Sequence, residues 1–77
     1  MKKAVVVGGS GFIGSHVADY LSDAGYQVTI YDKTKSLWLR NDQNIVYGDV
    51  QDSNKLNETI ANAEVVYNFA ALADLNQ

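Results

Sequence analysis

The stretch Lys3-Ala4-Val5-Val6-Val7-Gly8-Gly9-Ser10-Gly11-Phe12-Ile13-Gly14-Ser15-His16-Val17 decides how the rest of the chain is read. Residues 3–7 are a β-branched run that stops abruptly at glycine, the mark of a short buried strand. Beyond the glycines the period changes. Ile13, Val17 and Leu21 recur every fourth residue, with Ala24 three further on, which predicts a helix whose single apolar stripe faces a core. Gly25 supplies its stop. Two glycine registers overlap in the turn between them, Gly9-x-Gly11-x-x-Gly14 and Gly8-x-x-Gly11-x-x-Gly14. Gly8 or Gly9 suits a tight turn, Gly11 keeps the backbone open to an approaching group, and Gly14 lets the helix pack closely on the strands.

The remaining chain continues the alternation. Val28 to Tyr31 form a second predicted strand that ends at Asp32. Residues 33–44 are the least legible part: Leu37-Trp38-Leu39 fits one helical turn, and Asn41 to Asn44 a loop. Ile45-Val46-Tyr47 is a third strand closed by Gly48-Asp49. Asp52 or Ser53 caps a second helix whose Leu56, Ile60 and Ala63 share a face, and Val65 to Phe69 form a fourth strand. Strand–helix alternation of this kind builds a parallel sheet through right-handed crossovers. The expected fold is the first part of a doubly wound α/β domain: about four strands in the order 3-2-1-4, with helices on both faces.

A strand–glycine turn–helix unit followed, 18 residues after Gly14, by an acid at the tip of the next strand is the pattern of a dinucleotide site. The amides around Phe12 and Ile13 point the positive end of the helix dipole at a pyrophosphate, and Asp32 accepts hydrogen bonds from an adenosine ribose. A carboxylate there favours the free ribose hydroxyls of NAD over the 2′-phosphate of NADP, although Lys33 and Lys35 soften the preference. A nucleoside-triphosphate loop does not fit, because Ser15 and His16 stand where Lys and Ser/Thr are needed. A methyltransferase-like nucleoside site would use the acid but not the third glycine.

Composition narrows the field further. Six Lys and Arg against nine Asp and Glu give a net charge of -3, which argues against a nucleic-acid partner. The chain has no cysteine, so disulfides, thiolate catalysis and zinc–thiolate sites are excluded. The longest apolar run, Phe69 to Ala73, is far too short to span a membrane. A soluble protein of the cytoplasm, with no membrane partner, is the expectation. His16, alone and off the apolar stripe, is read as exposed rather than as a metal ligand. Asp19 and Asp23 are read as a solvated face of the first helix, and Trp38 as packing over the sheet.

Val7-Gly8-Gly9-Ser10-Gly11-Phe12-Ile13-Gly14-Ser15-His16 resembles the opening of the extended short-chain dehydrogenases, the NAD-dependent epimerase/dehydratase family acting on nucleotide sugars. Tyr31-Asp32, Gly48-Asp49-Val50 and Asn68-Phe69-Ala70-Ala71 agree with it in order, so the resemblance covers essentially the whole chain. It implies a partial Rossmann domain over residues 1–77 without the substrate domain. It implies that Gly8, Gly11 and Gly14, with the amides of Phe12 and Ile13, hold the pyrophosphate of NAD, and that Asp32 holds the ribose. Asp49 and Val50 would meet the adenine edge, a carboxylate for its amine and an amide for a ring nitrogen. Phe69, Ala70 and Ala71 would line the path toward the nicotinamide ribose. Where many members have His-Leu, this chain has Asn68-Phe69.

The family's catalytic Tyr-x-x-x-Lys lies beyond the fourth strand. Tyr31-Asp32-Lys33-Thr34-Lys35 has that spacing, but at the end of strand two, where proton transfer to a sugar is implausible. Tyr31 is expected to pack, and this chain alone to be inactive as an enzyme. The alternatives are a standalone NAD-binding regulatory module and a structural assembly module that binds no ligand. The outer edge of strand 65–69, with no further strand beside it, is expected to support a homodimer or a swapped association.

Overall fold

The computed structural model describes residues 2–70. Its order is β1 (Lys3–Val7), α1 (Phe12–Asp23), β2 (Gln27–Asp32), β3 (Gln43–Tyr47), α2 (Ser53–Ile60) and β4 (Val65–Asn68). The four strands form one parallel sheet in the order β3-β2-β1-β4, the order expected for the first part of a doubly wound domain. β1 is central and every side chain from Ala4 to Val7 is buried, which is why it is a continuous β-branched run rather than an alternating one.

Alternate residues of β1 and β2 face opposite sides of the sheet. On one side Ala4, Val6, Val28 and Ile30 pack against Ala18 and Leu21 of α1. On the other, Val5, Val7 and Tyr31 pack against Leu56 and Ile60 of α2, with Val46, Val50 and Ala63 around them. The two helices therefore cover opposite faces. α2 begins at Asp52, whose carboxylate accepts the Lys55 amide at 3.2 Å. Its last turn is held by Lys3 Nζ, which reaches from β1 to donate to the Thr59 carbonyl at 2.7 Å.

Two features of α1 and its surroundings differ from the expectation. The fully buried residues of α1 are Gly14, Ser15, Ala18 and Leu21; of the expected stripe, Leu21 is buried and Val17 packs half-buried against the core, but Ile13 is 61% exposed. The helix approaches the sheet so closely at its start that its smallest residues must face inward, and this rotates the larger Ile13 outward. Trp38 does not cover the sheet either. It is 46% exposed and meets Phe12 edge to face with ring centroids 6.0 Å apart, while Phe12 meets His16 at 4.4 Å. His16 is exposed, as expected.

Asp19 and Asp23 are more than a solvated face. The Arg40 guanidinium donates to Asp23 Oδ1 at 2.8 Å and lies 3.3 Å from Asp19 Oδ1, while the buried Gln43 amide bridges Asp19 and Ser22 at 3.0 Å each. The connection between β2 and β3 makes no regular helical turn, and this polar clamp fastens its end to α1. The Arg40 cation holds the Asp23 carboxyl below its usual range, first through the hydrogen bond and then through its charge.

Candidate functional site

In a parallel sheet the carboxyl ends of all strands lie along one edge, so the segments that follow them meet without any further folding. Here the strand ladders extend into those segments. The Gly8 amide donates to the Tyr31 carbonyl at 2.8 Å, the Phe69 amide to the Val7 carbonyl at 2.7 Å, and the Gly48 amide to the Asp32 carbonyl at 3.1 Å. Four sequence-distant motifs are thereby stitched into one rim. They enclose a cavity of about 510 Å³ lined by Gly8, Ser10, Gly11, Asp32, Lys33, Thr34, Gly48, Asp49, Val50, Gln51, Phe69 and Ala70, with Tyr31 beneath it. The sheet order reverses between β1 and β4, so the cavity sits where open α/β sheets form their binding crevices.

The glycines of the first turn divide by what surrounds them. Gly8 has φ +77°, and a Cβ there would stand 2.8 Å from the Ala70 backbone nitrogen. At Gly14 a Cβ would stand 2.7 Å from Gly9 Cα and 2.9 Å from the Gly8 carbonyl oxygen. Both positions are therefore fixed by the protein's own packing. Gly11 is different: a Cβ there would meet nothing within 4 Å. Gly11 is also the N-cap of α1, and no side chain caps the helix start. The first turn of α1 thus leaves its amide donors for another acceptor.

Asp32, at the tip of β2, is held rigidly. Its Oδ2 accepts the Ser10 amide at 3.1 Å and its Oδ1 accepts the Thr34 amide at 3.0 Å. The Ser10 hydroxyl closes the loop by donating to the Thr34 carbonyl at 2.7 Å. Each carboxylate oxygen keeps lone pairs for a ligand hydroxyl after these bonds. On the far side of the cavity, Asp49 Oδ1 accepts the Gln51 amide at 2.9 Å, and the Asp49 carbonyl accepts the Tyr31 hydroxyl at 2.8 Å and the Asp52 amide at 3.0 Å.

Of the residues expected from the sequence, Gly8, Gly11, Asp32, Asp49, Val50, Phe69 and Ala70 meet around the cavity. Gly14 lies under the glycine turn and serves packing rather than the lining. Phe12 and Ile13 turn their side chains outward, at 64% and 61% exposed, and only their backbone belongs to the turn. Ala71 lies outside the described residues. Ser10, Thr34 and Gln51 were missed. For Ser10 a signal existed, since it is the one hydroxyl inside the glycine motif, but its partner Thr34 becomes a neighbour only through the sheet.

Tyr31 is fully buried, with its hydroxyl spent on the Asp49 carbonyl. The Tyr-x-x-x-Lys spacing at Tyr31–Lys35 is therefore coincidental, and the expected packing role is correct. Burial, followed by the charges of Asp52 and Asp49, raises the Tyr31 phenol above its usual range. Among the described residues no group of His, Asp and Glu is placed to hold a metal ion, and no helix is long and apolar enough to cross a membrane.

Comparison with known proteins agrees with this fold. The model of the NAD dependent epimerase/dehydratase family matches residues 4–77. The UDP-N-acetyl-alpha-D-glucosaminuronate decarboxylase of Bacillus cytotoxicus is 36% identical over 77 residues, covering 92% of this chain and 24% of that protein. Among solved structures, the UDP-glucose 4-epimerase of Brucella ovis in complex with NAD superposes with a TM-score of 0.79 and 35% identity, over 90% of this chain and 22% of that one. The dTDP-glucose 4,6-dehydratase of Bacillus anthracis in complex with NAD gives a TM-score of 0.71 and 26% identity, over 90% of this chain and 26% of that one. The chain spans about a quarter of the length of these relatives.

Proposed function

Because the chain belongs to the NAD-dependent epimerase/dehydratase family, we propose that it is the dinucleotide-binding portion of an enzyme acting on a nucleotide sugar. The observation that carries this reading is the contrast between Gly11 and its neighbours. Packing inside the protein explains glycine at positions 8 and 14 but not at 11, where the space a side chain would take opens beside the cavity and the uncapped helix start. A pyrophosphate fills that space and accepts the free amides of Phe12 and Ile13. The donor set around the cavity fits the rest of a dinucleotide.

In this reading Asp32 takes the adenosine ribose hydroxyls, Asp49 and Val50 take the amine and a ring nitrogen of adenine, and Phe69, Ala70 and Ala71 lead toward the nicotinamide ribose. The cofactor is NAD rather than NADP, since a 2′-phosphate would meet the Asp32 carboxylate, which is held in place from both sides. The neighbouring NAD complexes support a nicotinamide dinucleotide without separating the two. Bound there, the dinucleotide supplies hydride transfer, while these residues bind and orient it. Proton transfer to the sugar is not assigned to this chain, whose one Tyr-x-x-x-Lys tyrosine is buried.

Titration calorimetry with NAD and NADP tests the proposal. NAD binds more tightly than NADP, and Asp32→Asn weakens NAD by about tenfold or more through the loss of charge-assisted hydrogen bonds. Silence toward both dinucleotides overturns the reading.

A further inference from the structure

We infer that Tyr31, fully buried at the floor of the cavity, is the positioning residue that sets the preference of this site for adenine over other purines. The inference rests on the dinucleotide reading and deepens it. Asp49 and Val50 share one peptide group, in which the Asp49 carbonyl and the Val50 N–H point in opposite directions across a trans bond. The Tyr31 hydroxyl grips that carbonyl at 2.8 Å from beneath the cavity. Fixing the carbonyl fixes the Val50 amide with it and holds the Cα that carries the Asp49 carboxylate. The other bonds of this turn, from the Asp52 amide to the Asp49 carbonyl and from the Gln51 amide to Asp49 Oδ1, are local and move with it. Beside the ladder bond from the Gly48 amide to the Asp32 carbonyl of β2, the Tyr31 side chain is the one tie among the described residues that sets the Asp49–Val50 peptide itself against the sheet.

The contact is close enough to constrain sequence. A Cβ on Gly48 would collide with the Tyr31 hydroxyl and ring, so the glycine before Asp49 is required by the tyrosine beneath it. Tyr31 is itself immobile, fully buried among Val5, Val7, Val46 and Leu56 on the α2 side of the sheet. Its raised phenol keeps the hydroxyl a donor throughout the physiological range.

The pair presented at the turn is one acceptor, the Asp49 carboxylate, whose Oδ2 has no hydrogen-bond donor among the described residues, and one donor, the Val50 N–H. Adenine offers the complementary amine and ring nitrogen. Hypoxanthine reverses both, presenting a carbonyl and an N–H. Discrimination between them therefore depends on how firmly the pair is aimed, because a floppy turn rotates to accept either.

The test compares the dissociation constants of NAD and of its hypoxanthine analogue for the wild-type chain, Tyr31→Phe and Asp49→Asn, with melting curves to show that each variant folds. Tyr31→Phe keeps the ring and removes one hydrogen bond, so NAD binding weakens about fivefold while analogue binding holds, and the preference falls by the same factor. Asp49→Asn abolishes most of the preference. A Tyr31→Phe chain that weakens both ligands equally, or neither, overturns the positioning role while the dinucleotide reading stands. A wild-type chain that binds neither ligand overturns both.

Discussion

Gly14 and Gly11 lie three residues apart in the same motif, yet the structure predicts opposite consequences for the same substitution. At Gly14 an added methyl lies 2.7 Å from a backbone Cα and 2.9 Å from a backbone oxygen, roughly 1 Å inside ordinary carbon contact. Neither neighbour is a side chain that can swing away, so α1 must lift from the strand end. Overpacking of this kind costs up to about 3 kcal/mol. Alanine returns about 1 kcal/mol as the better helix former. The net loss is about 2 kcal/mol, and in a domain of this size that lowers Tm by roughly 10 °C. At Gly11 an added methyl meets nothing within 4 Å, and φ of -76° suits any residue. The cost is no more than about 1 kcal/mol, from the poorer N-cap.

Binding divides the other way. The Gly11 methyl occupies the space assigned to the pyrophosphate, so Gly11→Ala reduces NAD affinity by about a hundredfold while the chain still melts within a few degrees of wild type. Thermal denaturation followed by circular dichroism, paired with calorimetric titration of NAD, reads both quantities. A Gly14→Ala chain as stable as wild type would refute the packing argument. A Gly11→Ala chain that binds NAD normally would refute the assignment of the open space to a ligand.

Lys3→Met keeps the aliphatic stem but removes the cation that holds the last turn of α2, and it lowers the urea unfolding free energy by about 1 kcal/mol. At alkaline pH the folded chain holds the Tyr31 proton beyond the point near pH 10 where the unfolded chain releases it. That contribution to stability is complete below about pH 10 and is lost as pH rises through the folded pKa. Urea midpoints measured from pH 8 to 12 should fall more steeply for wild type than for Tyr31→Phe, and equal slopes would count against a buried, protonated phenol. β4 pairs only with β1 among the described strands, and Val66 and Tyr67 on it are exposed. These 77 residues should therefore self-associate at tens of micromolar, and Tyr67→Lys should shift the light-scattering mass toward the monomer.

The comparison between sequence and structure is sharpest around α1. Four strands and two helices follow from periodicity and turn residues, which are local properties, and the order 3-2-1-4 is the usual one for a doubly wound domain. The rotation of α1 is not local. Periodicity weighs large apolar residues most heavily, so it places the exposed Ile13 on one stripe with Val17 and Leu21, which do pack on the core. Close approach to the strand ends selects the smallest residues instead, and only the assembled sheet reveals how near the helix must come.

The same division runs through the site. Sequence alone located the glycine turn, the acid at the tip of β2 and the Gly48-Asp49-Val50 turn, because each directly follows a short apolar strand whose end is legible from local pattern. Tertiary structure decided which glycine is open and which is packed, that Ser10 and Thr34 clamp Asp32, and that Arg40 and Gln43 fasten the β2–β3 connection to α1. It also joined the Tyr31 hydroxyl to the Asp49 carbonyl beneath the Gly48-Asp49-Val50 turn. Apart from the Asp32–Thr34 turn, the side-chain hydrogen bonds among these join residues 17 to 24 positions apart, brought together by parallel pairing of neighbouring strands and the packing of α1 upon them.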